Sequence, residues 1–303
     1  MVEANLSSLG ENREPKRYRV GILGLGAIGA ALAEYFSKQG VSVRVWNRTP
    51  GKAAGLVGDN ISEAASAQEL VAESQLVISA LTSYGNLIQI LSERDSDAPL
   101  DLINFSTGTA FEAKTLAAGL SPGSRYLDCA NLSAPLDFGN DRGFLAFAGS
   151  EELWQDNERL LAPLGWRSFY VSEDLKVTSQ IDAGIIGVFQ MPAMMAFAEA
   201  IEYFKQVNLP SEVFFDLIAY FARDAQGIYG DVLEEAQNGY VSKTASLEIY
   251  HSSSASFLEA IAEEGASARM LALATELYAA GVAAGRGASS VAAAAIENQN
   301  QNQ

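Results

Sequence analysis

Residues 18–49, YRVGILGLGAIGAALAEYFSKQGVSVRVWNRT, constrain this chain more than any other stretch. A short apolar run at residues 20–23 meets the Gly-rich turn Gly24-Leu25-Gly26-Ala27-Ile28-Gly29. An Ala-rich amphipathic segment follows, then a β-branched run at residues 41–46. That order predicts a βαβ unit with its glycines at the first strand-to-helix turn. Gly24 permits a tight turn, Gly26 lets the backbone approach a pyrophosphate, and Gly29 lets helix and strand pack closely. The free N–H groups and dipole of the helix N-terminus favour an anionic diphosphate there.

The residues after the second strand select the dinucleotide. NAD-binding units usually place an Asp or Glu there, accepting from the ribose 2′-hydroxyl. This chain has Asn47-Arg48-Thr49, with Lys52 a turn later. A carboxylate repels a 2′-phosphate, an Arg fork pairs with it, and Asn and Thr donate to it. The reading is therefore NADPH, with Arg48 the main discriminator.

Composition narrows the partners. A length of 303 residues suits two domains and a substantial core. The net charge of -17 argues against general attraction to a nucleic-acid backbone or an anionic membrane, while leaving room for a local basic pocket. Cys129 is the one cysteine and His251 the one histidine, so an intrachain disulfide and a Cys- or His-rich metal site are both excluded. Residues 1–17 are polar, lack the apolar core of a signal peptide and read as a disordered leader. The Gln/Asn-rich tail, residues 298–303, reads likewise. A cytoplasmic location is the expectation. Residues 183–198 are almost uninterruptedly apolar, but Gln190 and Pro192 interrupt them and Asp182 and Glu199 bracket them. A buried helix is expected there, not a membrane span.

The expected architecture is α/β: a doubly wound Rossmann sheet over residues 18–175, a long interdomain helix over 176–207, and an all-helical domain over 208–297. Further strands are predicted at residues 76–79, 100–104, 126–130, 144–148 and 168–171, short and apolar as in a largely parallel sheet. The long helix is apolar on nearly every face, so it must be covered all round, and another subunit is the expected cover. Pro192 should kink it. Helices are predicted at 211–223, 225–237, 246–264 and 267–285, with a short last one from Ser289. The substrate pocket is expected between nicotinamide and helical domain.

Four segments carry a family resemblance: VWNRTPGKA at residues 45–53, INFSTGTA at 103–110, YLDCANLSAPLDFG at 126–139 and ELYAAGVAAGRGASSVAAAAIE at 276–297. The chain resembles the NADPH-dependent imine reductases and reductive aminases, within the 6-phosphogluconate dehydrogenase-like, β-hydroxyacid dehydrogenase superfamily. The resemblance implies an intertwined homodimer whose long helix crosses between subunits. It implies imine, or carbonyl plus amine, as substrates. Leu81 and Thr107 join the expected cofactor contacts; Thr107 stands where reductive aminases often carry Asn.

The superfamily's β-hydroxyacid dehydrogenases carry a proton-moving Lys near the start of the long helix. The matching place in SQIDAGIIG, residues 179–187, holds Asp182. Asp182 is thus the expected catalytic group, and burial on so apolar a helix should raise its pKa. Two roles are open: proton donor to the imine nitrogen, or charged partner of an iminium. The plain alternative is a first-turn cap. The resemblance also implies substrate contacts from Gln190, where many relatives have an aromatic residue, and from Tyr220 and Tyr250; core packing serves the two tyrosines as well. His251 reads as an ordinary surface or core residue and Cys129 as a small buried one. Gly119-Leu-Ser121-Pro-Gly123 spells G-x-S-x-G but lacks the preceding strand of a nucleophile elbow. Rival functions are a β-hydroxyacid-type carbonyl dehydrogenase and a non-catalytic NADP(H)-binding protein.

Overall fold

The computed structural model describes residues 18–94 and 96–296. The expected leader and tail, and Glu297, lie outside the described residues. The chain divides into two compact units, residues 1–187 and 188–303.

The first unit is built on an eight-stranded sheet of order β3-β2-β1-β4-β5-β6-β7-β8. Its strands are β1 (Tyr18–Leu23), β2 (Val43–Trp46), β3 (Ile61–Glu63), β4 (Ser74–Ser79), β5 (Asp101–Asn104), β6 (Arg125–Asn131), β7 (Phe144–Gly149) and β8 (Arg167–Ser172). Neighbours run parallel except for β6 and β7. Helices α1 (Ala27–Lys38), α2 (Ala67–Glu73), α3 (Tyr84–Ser92), α4 (Ala110–Ala118) and α5 (Glu151–Leu161) cover it.

The central strands read as unbroken apolar runs because both faces are buried, and the pleat sorts their side chains. Val20, Ile22, Leu76, Ile78 and Ile103 join Leu32, Phe36 and Trp154 of α1 and α5 in one core. Leu23, Val77 and Leu102 join Leu70, Tyr84, Leu87 and Leu116 of α2, α3 and α4 in the other. Ser66, Ser83, Thr109 and Ser150 cap four of the helices through their side chains, and Thr109 forms a capping box with Glu112. Strand β3, not anticipated from the sequence, has only three residues and pairs beside β2.

A continuous helix runs over residues 176–206. It consists of α6 (Lys176–Ile181), a π-helical stretch Asp182–Gln190, and α7 (Met191–Gln206). The expected disturbance at Pro192 takes this form. Pro192 gives no N–H and its ring crowds the carbonyl four residues back, at Val188; the wider π turn ahead of it takes up the displaced bonding. The expected burial is not met within one chain: no residue from Asp182 to Gln206 is buried. By length and composition alone this helix could cross a membrane.

The second unit is helical. Residues 211–237, expected as two helices, form a single α8 (Ser211–Gln237), because Asp224 at the supposed break is no helix breaker and the pattern continues through it. Then come α9 (Leu247–Glu263) and α10 (Arg269–Gly281). A π turn at Val282–Arg286 ends α10 earlier than expected, with Gly285 at φ +83°, and a 3-10 turn at Val291–Ala295 replaces the last helix.

Candidate active site

The glycine turn sits at the carboxyl end of β1, beside β4, where the strand order reverses direction and doubly wound sheets bind ligands. Gly24 has φ +97°, and a Cβ there would lie 2.7 Å from the Ala80 carbonyl oxygen and 3.0 Å from Leu81 Cδ2. A Cβ on Gly29 would lie 1.9 Å from the Gly24 carbonyl oxygen, so α1 packs on the turn only because that atom is missing. Gly26 is different: nothing lies within 4 Å of the place its Cβ would take, and that space is open. Gly26 is the N-cap of α1 and supplies no capping side chain. The first N–H groups of α1, on Ala27, Ile28 and Gly29, are thereby left for an outside acceptor. An uncapped, Cβ-free helix start is what a diphosphate needs.

Asn47 serves the turn from the end of β2. Its Oδ1 accepts from the Leu25 N–H at 2.9 Å and its Nδ2 donates to the Thr49 carbonyl at 3.1 Å. Both ends of its amide are therefore engaged by the backbone. Arg48, Thr49 and Lys52 are exposed. Trp46, Asn47, Arg48, Pro50, Glu63 and Ala64 line a hollow of about 550 Å³ at the ends of β2 and β3. Leu81 follows β4, and Thr107 is exposed in the loop between β5 and α4. Together these residues leave an uncapped helix start and an adjoining hollow that fit a dinucleotide.

Asp182 is half-buried where α6 passes into the π stretch. Burial first, and then the Asp128 carboxylate, push its carboxyl up to about 6. Asp128 lies in the middle of β6 and is 4% exposed. Its Oδ1 accepts from Tyr84 Oη at 2.6 Å, Tyr126 Oη at 2.7 Å and Asn104 Nδ2 at 3.1 Å; its Oδ2 accepts from Thr178 Oγ1 at 2.6 Å. Lys176, the nearest counterpart to a helix-start lysine, pairs with Asp174 at 2.9 Å. The Cys129 thiol is buried and pushed well up, by burial and then by Asp128 and Asp182, which keeps it unreactive.

In the second unit, Tyr250 is half-buried, stands 5.9 Å from Tyr278 between ring centroids, and lines an apolar hollow of about 310 Å³ with Ile249, Phe257 and Leu271. Tyr220 is exposed and packs edge-on against Phe221; Gln190 is exposed. Neither lines that hollow. The Gly119–Gly123 segment follows the end of α4 and leads into β6, the reverse of a strand-to-helix elbow. Sequence reasoning passed over Asp128, Tyr84, Asn104 and Thr178. The signal for Asp128 was present: an acid in the middle of an otherwise apolar strand.

Residues 19–101 match the NAD binding domain of 6-phosphogluconate dehydrogenase. An NADPH-dependent reductive aminase from Aspergillus oryzae is 33% identical over 177 residues, which are 56% of this chain and 60% of that protein. A reductive aminase from Aspergillus terreus, solved with an NADPH form, cyclohexanone and allyl amine, superposes with a TM-score of 0.83 at 26% identity, over 92% of this chain and 98% of that one. The chain is thus similar, in sequence and in fold, to the imine reductases and reductive aminases. Its nucleotide-binding fold is that of the 6-phosphogluconate dehydrogenase-like proteins. The imine reductase family does not stand alone here: glyoxylate/succinic semialdehyde reductase 2 of Arabidopsis thaliana is 26% identical over 232 residues, covering 68% of this chain and 59% of that protein. The match to each of these two curated relatives thus spans about three-fifths of their length.

Proposed function

We propose that the chain is an NADPH-dependent imine reductase, adding hydride to the carbon of a C=N bond while the nitrogen gains a proton. The bound cofactor supplies the hydride. The protein's own residues hold, orient and protonate. The N-terminus of α1 takes the diphosphate, Asn47 props the turn, and Arg48, Thr49 and Lys52 take the 2′-phosphate. Leu81 and Thr107 flank the nicotinamide half. Asp182 carries the reading. An acid held near 6 keeps a usable proton close to neutrality, where an ordinary Asp has none, and a donor matched to working pH transfers it best. That favours proton donation over charge pairing with an iminium, which calls for a firmly ionised acid.

The substrates are imines, or a carbonyl and an amine that condense to one. The reductive aminase solved with cyclohexanone and allyl amine supports this class. Gln190, Tyr220 and Tyr250 are the substrate-side candidates. The working unit is a cytoplasmic homodimer. Its second copy, rather than lipid or nucleic acid, covers the apolar faces of the long helix, whose apolar run carries Gln190 and Pro192 and ends at Glu199.

A second reading, reduction of an aldehyde or ketone, draws on the semialdehyde reductase relative. The pairing of Lys176 with Asp174 weighs against it. NADPH oxidation with cyclic imines, ketones and 2-keto acids, with NADH as control, separates them. Turnover confined to imines and carbonyl–amine mixtures supports the first. Turnover of carbonyls alone supports the second, and tight NADPH binding with no turnover defeats both.

A further inference from the structure

Asp128 is a buried acid that no cation among the described residues pairs with. Four side chains on four elements donate to it: Tyr84 of α3, Asn104 of β5, Tyr126 of β6 and Thr178 of α6. The carboxylate accepts every one of these bonds. Three are O–H···O contacts of 2.6–2.7 Å, in the range of charge-assisted bonds. The cations nearby are committed elsewhere. Lys114 of α4 and Lys176 of α6 both pair with Asp174, and Arg125 at the start of β6 pairs with Asp101 and Asp156. Glu112 of α4 is held by Thr109, and β7, which also packs on α6, carries no charged side chain. A buried charge is costly unless its bonds are complete, so this arrangement calls for a use.

Thr178 and Asp182 are four residues apart, on one face of the same helix. The bond from Thr178 to Asp128 therefore fixes the turn that presents Asp182. We propose that Asp128 is a positioning residue for Asp182: it pins the helix start through Thr178, and its buried negative charge favours the protonated form of the neighbouring acid. This rests on the reading of Asp182 as the proton-bearing group. It adds a second acid whose role is to hold that proton in place, and the rise in the Asp182 carboxyl, caused in part by Asp128, agrees.

Asp128→Asn is the informative variant. Its amide oxygen still accepts from Tyr84, Tyr126 and Asn104. Its NH₂ donates to Thr178 Oγ1, whose own proton turns to the Leu175 carbonyl, already 3.0 Å away. Charge is removed and the bonding is kept. The Asp182 carboxyl is followed by ¹³C NMR titration of the NADPH-loaded protein and assigned by its loss in Asp182→Asn. In Asp128→Asn its midpoint falls by about one pH unit, and the falling limb of the pH profile on a cyclic imine moves down equally. An unchanged midpoint overturns the proposal. The titration needs no turnover, so absence of imine reduction would defeat the reaction assignment and leave this result standing. Should Asp128→Asn not fold, Thr178→Val tests the anchor alone: kcat falls about tenfold with the KM for NADPH unchanged, and Thr178→Ser restores it. An unaltered kcat in Thr178→Val overturns the positioning role.

Discussion

On the proposed reading Asp182 and Arg48 have opposite electrostatic tasks, and each can be removed on its own. Asp182→Asn should lower imine kcat by at least about a hundredfold, as expected for loss of a general acid, while calorimetry finds the NADPH Kd unchanged. In the unaltered protein the proton is present below about pH 6 and lost above it, so kcat/KM should fall as pH rises through that value. The same shift has a stability sign. The folded-state carboxyl lies above its ordinary 3.8, so ionisation of Asp182 weakens the fold as pH rises from 3.8 through about 6. Asp182→Asn should therefore raise Tm at pH 8 and leave it unchanged near pH 3, with a gain of about 1 kcal/mol once partial exposure is allowed for. Arg48→Ala should weaken NADPH roughly tenfold to a hundredfold and leave NADH alone; equal weakening of both would contradict the 2′-phosphate assignment. At this scale the sequence singled out Arg48 and Asp182 as candidates because both sit in readable motifs. It did not show Asp128 or its donors, since Tyr84, Asn104 and Thr178 meet only when three distant segments fold against β6.

The glycines of the first turn make the strongest test of the elements. Gly29→Ala drives a methyl into the Gly24 carbonyl and should destabilise the protein by about 2–3 kcal/mol, visible in urea denaturation. Gly26→Ala meets nothing in the protein, so its midpoint should hold while NADPH affinity drops. Loss of stability in both alike would refute the division of labour. The sheet and α1 were legible because their apolar periods are uninterrupted. Strand β3 escaped notice because three residues give no period, and the break expected between residues 223 and 225 is absent because the helical pattern runs through it. At Pro192 the sequence predicts a kink, and the structure shows a π-helical stretch just ahead of it. A lost donor shows in the sequence; a π stretch that accommodates it depends on the whole helix.

At the scale of the molecule, the long helix was recognisable as needing cover on all sides, and one chain does not provide it. Val188 is 76% and Met191 63% exposed, and Phe215, Tyr220, Phe221 and Tyr229 are exposed with them. Sedimentation should find twice the chain mass. Val188→Glu with Met191→Glu should yield monomers without imine turnover, and a monomeric parent that turns over imine would sink the assembly. On the proposed assembly, a chain fresh from synthesis shows the same oily length to water before it meets a second copy. Such surfaces draw chains together indiscriminately, and folding that is finished only by pairing has a melting point that climbs with protein concentration. For a protein assembled as proposed, dilution, as much as heat, should inactivate it.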